Sequence, residues 1–158
     1  GRFHQSCIRG KWGNPCNKCW KCFRKNILLS ALEGDEIPEH SELSIKRSKE
    51  IRKHLLENKP IKHEGVLAYS LERASGGGEL FNKLRQLVRV GSINTDWMEK
   101  WYSQSICLVD PGYSDYTSKK LRNALGEMSE EQTTDLRGWS NQSDEDREVR
   151  LAEFSDLL

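Results

Sequence analysis

No apolar run in this sequence approaches the roughly 18 residues that a membrane-spanning helix needs, so we expect no segment to cross a bilayer. The opening Gly1-Arg2-Phe3-His4 lacks the basic-then-apolar order of a signal peptide. The chain therefore reads as a cytoplasmic, soluble piece of something longer, or as a processed product. There is no internal repeat, no coiled-coil heptad, no Ser/His/Asp set, no paired catalytic carboxylates and no zincin motif. His40, His54 and His63 are scattered through charged segments and read as solvated. Apolar residues are also scarce at 35%, which predicts a modest core with long wet faces. Five Trp, four Tyr and four Phe keep the chain out of the disordered class, because each buries much area.

Acid is missing where base is dense. Residues 1–25 hold Arg2, Arg9, Lys11, Lys18, Lys21, Arg24 and Lys25 and no Asp or Glu. Residues 126–158 hold ten acids against three Arg. Such a split suits a nucleic-acid surface with a solvating tail, two faces that attract each other, or simply a solvated rim.

Four of the five cysteines lie in the first 22 residues, as Cys7-x8-Cys16-x2-Cys19-x2-Cys22. Two intervening residues let thiolates from a tight turn reach one ion. Gly10, Gly13, Asn14 and Pro15 predict a turn that returns Cys7 to the others. Four thiolates saturate a tetrahedral zinc and leave no open position, so the expected site is structural. An iron–sulfur cluster, or disulfide and redox chemistry, are the other readings of closely spaced cysteines. His4 is a possible substitute ligand, and Cys107, among apolar neighbours, reads as a buried inert thiol.

The periodicity predicts a mainly α fold: a small four-cysteine zinc module followed by a helical bundle-like region. Trp20, Phe23, Ile27 and Ala31, widened by Leu28 and Leu32, predict a helix over 19–32 that Gly34 stops. One charged helix is expected from Ser41 to about Asn58. The run Val66–Leu71 fits helix or strand, and Gly76-Gly77-Gly78 breaks the chain. A helix follows over Glu79–Val90, then one capped by Thr95 that carries Trp97, Met98, Trp101, Tyr102 and Ile106. Asp110–Tyr113 reads as a turn, Thr117 as the cap of a short helix ended by Gly126, and Ser129–Gln132 as a capping box. Ser143 with the acids after it opens a last helix whose docking the pattern does not specify. The segments are 1–34 (metal module and its helix), 35–128 (helical region) and 129–158 (acidic helices).

The motif Ser6-Cys7 with Gly13-Asn14-Pro15-Cys16-Asn17-Lys18-Cys19-Trp20-Lys21-Cys22-Phe23-Arg24-Lys25 resembles the C-terminal zinc motif of the 7-cyano-7-deazaguanine synthases. These enzymes belong to the PP-loop ATP pyrophosphatase superfamily, and the likeness covers about residues 5–30. It implies that this chain is the C-terminal part of a larger α/β protein. In that family a Rossmann-like domain upstream holds ATP on a Ser-Gly-Gly-x-Asp-Ser loop. A carboxylate or amide is adenylated, and ammonia then displaces AMP. Ser75-Gly76-Gly77-Gly78-Glu79-Leu80 lacks the Asp and second Ser of that loop and reads as a connector.

Three functions follow as expectations. In the first, Cys7, Cys16, Cys19 and Cys22 hold a structural zinc in an ATP-dependent ligase or synthase whose ATP site and partner domain lie upstream. In the second, Arg9, Lys11, Lys18, Lys21, Arg24 and Lys25 (with Arg2) contact the phosphates of tRNA or a single strand, and Trp12, Trp20 or Phe23 stack on bases. In the third, the aromatic 95–106 segment or the acidic end docks a protein, another copy included.

Overall fold

The computed structural model describes residues 7, 9–11, 13–57, 61, 63–92, 94–138 and 145–158. Eight α-helices lie among them: α1 (Trp20–Glu33), α2 (Glu39–Arg47), α3 (Lys49–Leu56), α4 (Glu64–Arg73), α5 (Gly78–Leu87), α6 (Pro111–Leu125), α7 (Glu130–Gly138) and α8 (Arg147–Ser155). The described residues form no strand, only isolated bridges, as the mainly α expectation requires. None of the helices described is long and apolar enough to cross a membrane. The chain divides into two compact units, residues 1–93 with 145–158, and residues 94–144. The cysteine segment, residues 35–93 and the last helix of the acidic end thus share one unit, whereas 94–128 and the first half of the acidic end, 129–144, belong to the other.

The larger unit is built around α4. Its residues Glu64, Gly65 and Leu67–Leu71 are buried on nearly every side, so the run carried no readable period. Helix α1 packs Trp20, Phe23 and Ile27 inward, with Phe23 at 1% and Ile27 at 0% exposure. Its Leu32 faces solvent, so the apolar stripe is narrower than expected. Gly34 ends α1 in the left-handed region at φ 73°, as its place after the stripe predicts. From α5, Phe81 meets Phe23 at 6.3 Å between ring centroids. Gly77 precedes α5 at φ 87°, and a Cβ there would lie 2.6 Å from Phe81.

The single helix expected over 41–58 is broken. Ser48 is extended (φ −93°, ψ 111°) and separates α2 from α3. Its hydroxyl accepts the Ile51 N–H at 3.3 Å, capping α3, and donates to the Lys18 carbonyl at 2.7 Å.

The acidic end docks. Helix α8 buries Phe154 completely against the core. Arg147 donates to the buried Glu64 carboxylate at 3.2 Å, and Glu64 also accepts the Ile61 N–H at 2.9 Å. Lys83 bridges to Glu153 at 2.7 Å.

In the unit of residues 94–144, only Thr95 and Trp101 are buried among the described residues. The helix expected after Thr95 is instead two 3-10 segments, Asp96–Glu99 and Ser103–Leu108. Between them the chain extends, and Trp101 donates to the Gly126 carbonyl at 2.9 Å and accepts from Met128 N–H at 3.0 Å. The indole donates to Ser105 Oγ at 3.2 Å, beneath the Arg122 guanidinium. Trp97, Met98 and Tyr102 are half-buried. Asp110 is a helix cap, its carboxylate accepting Gly112 N–H at 2.8 Å with Pro111 at the first helical position; Thr117 lies inside α6. The capping box at Ser129 is present, with reciprocal bonds of 3.0 and 3.1 Å to Gln132. Cys107 is exposed, contrary to the buried thiol expected from its neighbours.

Two variants test this packing. Gly77→Ala is expected to destabilise the chain by about 2 kcal/mol or more, because both the positive φ and the Phe81 contact oppose a side chain. Arg147→Ala should cost about 3 kcal/mol by leaving the Glu64 charge buried without its partner. Urea unfolding followed by tryptophan fluorescence measures both, and a change below about 0.5 kcal/mol in either contradicts the packing described.

Candidate metal centre

Turn chemistry gathers the ligands. Asn14 N–H closes on the Lys11 carbonyl at 2.9 Å, reversing the chain after Cys7. Gly10 sits inside this turn so tightly that a Cβ would lie 2.4 Å from the Asn14 oxygen. Asn17 adopts φ 51° between the second and third cysteines, a conformation Asn tolerates better than most residues. Cys19 is the N-cap of α1 and its Sγ accepts the Cys22 N–H at 3.5 Å; Cys22 lies in the first helical turn.

The result is one cluster. The Sγ atoms of Cys7, Cys16, Cys19 and Cys22 all lie within 4.8 Å of one another, a group able to hold a metal ion. Cys16 and Cys22 are 3.8 Å apart, and a tetrahedron of sulfurs about 2.3 Å from a central ion has edges of about 3.8 Å. Cys7, Cys19 and Cys22 are buried, and Cys16 is half-buried.

Burial alone opposes charge on these sulfurs. It pushes the Cys22 thiol far above its ordinary value and raises Cys19 as well. Cys7 goes the other way, down to about 6, because the Cys16 N–H donates to its sulfur at 3.5 Å. A cation at the centre of the four sulfurs would offset this burial and stabilise the thiolate form.

Sequence spacing did not reveal the residues that hold the loop. Glu50, in the first turn of α3, pairs with Arg9 and accepts the Trp20 N–H at 3.3 Å, tying both ends of the cysteine segment to α3. Its carboxyl is held below the usual range, first by the Arg9 hydrogen bond. Ser44 Oγ donates to the Asn17 carbonyl at 2.8 Å and Ser48 Oγ to the Lys18 carbonyl at 2.7 Å. A serine pair at i and i+4 near a helix start was visible in sequence, but its targets lie 27 and 30 residues earlier.

The basic residues separate. Arg9 is engaged by Glu50, and Arg24 is half-buried over the Trp20 ring at 5.7 Å. Lys11, Lys18 and Lys21 are exposed and Lys25 is half-exposed. Trp20 and Phe23 are at 4% and 1% exposure, so neither can stack on a base. Arg2, His4 and Trp12 lie outside the described residues. His40 is bonded to Asn26 at 2.9 Å and the His54 ring lies 5.1 Å from Trp20, so neither is merely solvated.

No match was found among curated proteins or among solved structures. A family model does match, over residues 1–140, a stretch that includes all four cysteines. The chain belongs to that family, a family of unknown function, DUF6395.

Proposed function

We propose that Cys7, Cys16, Cys19 and Cys22 bind one zinc ion, and that the ion is structural. The convergence of four sulfurs within 4.8 Å carries this reading. The 3.8 Å edge suits a single ion, whereas a cluster must enclose several irons and spreads its thiolates. Four thiolates complete a tetrahedron, leaving no position for water or substrate. Zinc supplies no reaction step here. It fixes the turn between Cys7 and Cys16 to the N-terminus of α1, whose Trp20, Phe23 and Ile27 enter the core.

We further propose that the chain serves as the C-terminal zinc region of a PP-loop-type, ATP-dependent ligase or amide- or nitrile-forming synthase in the cytoplasm. Support comes from the Cys-x8-Cys-x2-Cys-x2-Cys motif followed directly by a helix. In this reading ATP is held by an upstream domain, and the zinc-fixed loop forms one wall of the substrate pocket. ATP turnover tests it: the parent chain releases AMP or pyrophosphate while residues 1–158 alone release neither. A parent gene with no nucleotide-binding loop upstream overturns it.

Elemental analysis of protein prepared without chelator should give one zinc and no iron per chain. Removing the ion with a strong chelator should lower the unfolding midpoint and expose Trp20, read as a red shift in emission. Ser48→Ala, which frees the Lys18 carbonyl and uncaps α3, should weaken zinc binding about tenfold in a competition assay. Binding should also release protons. At pH 7.5 Cys7, with its value near 6, is already largely thiolate, whereas Cys19 and Cys22 are held protonated; about two protons or more are therefore expelled, and affinity falls as pH is lowered. Calorimetry in buffers of different ionisation enthalpy measures that number.

A further inference from the structure

Beside the cysteine loop runs a groove of about 560 Å³, within the size range of small-molecule sites. One wall is Cys16, Asn17 and Lys18. The other is His40, Leu43, Ser44 and Arg47 of α2, with Ser48 at the end. Residues 40, 43, 44 and 47 follow the i, i+3, i+4, i+7 pattern, so a single helix face lines it.

The side chains that face this groove across from Cys16, whose sulfur belongs to the metal site, are cationic or neutral. Lys18 and Arg47 line it, and no carboxylate does. Neither has an ion-pair partner among the described residues, in contrast to Arg9 with Glu50 and Lys46 with Glu42. The backbone oxygens that would repel an anion are already occupied: Ser44 and Ser48 donate their hydroxyls to Asn17 and Lys18 carbonyls. Ser48 closes α2 and begins α3, so the two helix ends offset each other there and the attraction for an anion rests on Lys18 and Arg47. Leu43, 39% exposed, lines the same groove and supplies an apolar contact. An Arg fork, a Lys point charge and an adjacent apolar surface together recognise a phosphate joined to a flat or apolar group.

We propose that this groove binds a phosphomonoester whose remaining part is aromatic or apolar, with Arg47 and Lys18 on the phosphate and Leu43 against the ring. The inference uses the zinc-organised loop only as a wall and does not depend on an upstream domain.

The test uses the zinc-loaded chain, titrated by calorimetry with AMP, adenosine and inorganic phosphate, and separately with a single-stranded oligonucleotide. AMP should bind at least about tenfold more tightly than either adenosine or inorganic phosphate. Lys18→Ala and Arg47→Ala, both at exposed positions, should each weaken AMP about tenfold with the unfolding midpoint unchanged, and Arg47→Lys should recover part of the loss. Lys83→Ala, remote on α5, should leave AMP binding unchanged. No heat with AMP at millimolar concentration overturns the proposal, as does AMP binding that both variants leave intact. Phosphate binding as tightly as AMP overturns the role given to Leu43. An oligonucleotide that binds far more tightly than AMP, through the same two cations, overturns the small-ligand assignment in favour of a nucleic-acid strand.

Discussion

Burying thiolates is unfavourable unless something positive sits among them. That constraint governs the first third of this chain. Cys19 and Cys22 lose water when α1 packs its first turns into the core, and the loss raises both thiols. An ion at the centre turns the same burial to advantage, because low dielectric strengthens attraction as much as it penalises isolation. The helix contributes too, since the Cys19 sulfur caps its N-terminus and meets the positive end of the dipole. The cysteine loop and the core are joined through a helix that begins at one of the four clustered cysteines.

The supports of the loop share a common logic. Each is a polar side chain on α2, on α3 or at the break between them that reaches a backbone group of the cysteine segment. Glu50 takes the Trp20 N–H, Ser44 the Asn17 carbonyl and Ser48 the Lys18 carbonyl. Such bonds satisfy backbone groups that a tight metal-binding turn cannot pair within itself. They also explain the interruption at residue 48. The extended conformation lets the Ser48 hydroxyl serve α3 and the loop at once.

What the sequence revealed was whatever depended on neighbours in the chain. The clustering of the four cysteines, the α1 stop at Gly34, the α5 face and the Ser129 box all rest on spacings under about ten residues. Features that depended on distant partners stayed hidden. The break at Ser48 answers to Lys18, the extended Trp101 answers to Gly126 and Met128, and the docking of α8 answers to Glu64. Cys107 misled because apolar neighbours imply burial only when a packed element covers them, and the 3-10 turn that carries it leaves it outside. Helix α6 began earlier than expected because Asp110-Pro111, a turn signal, is equally a cap followed by the first helical residue.

The larger unit is discontinuous, and this has a consequence for its birth on the ribosome. Residues 94–144 are synthesised between its main body and α8. At about 5–20 residues per second that interval lasts on the order of several seconds. Throughout it, the nascent body exposes the apolar site that Phe154 will fill and holds Glu64 without Arg147. A cell has that long to shield the unfinished surface from neighbouring chains, and the closing element is the last piece of this sequence to emerge.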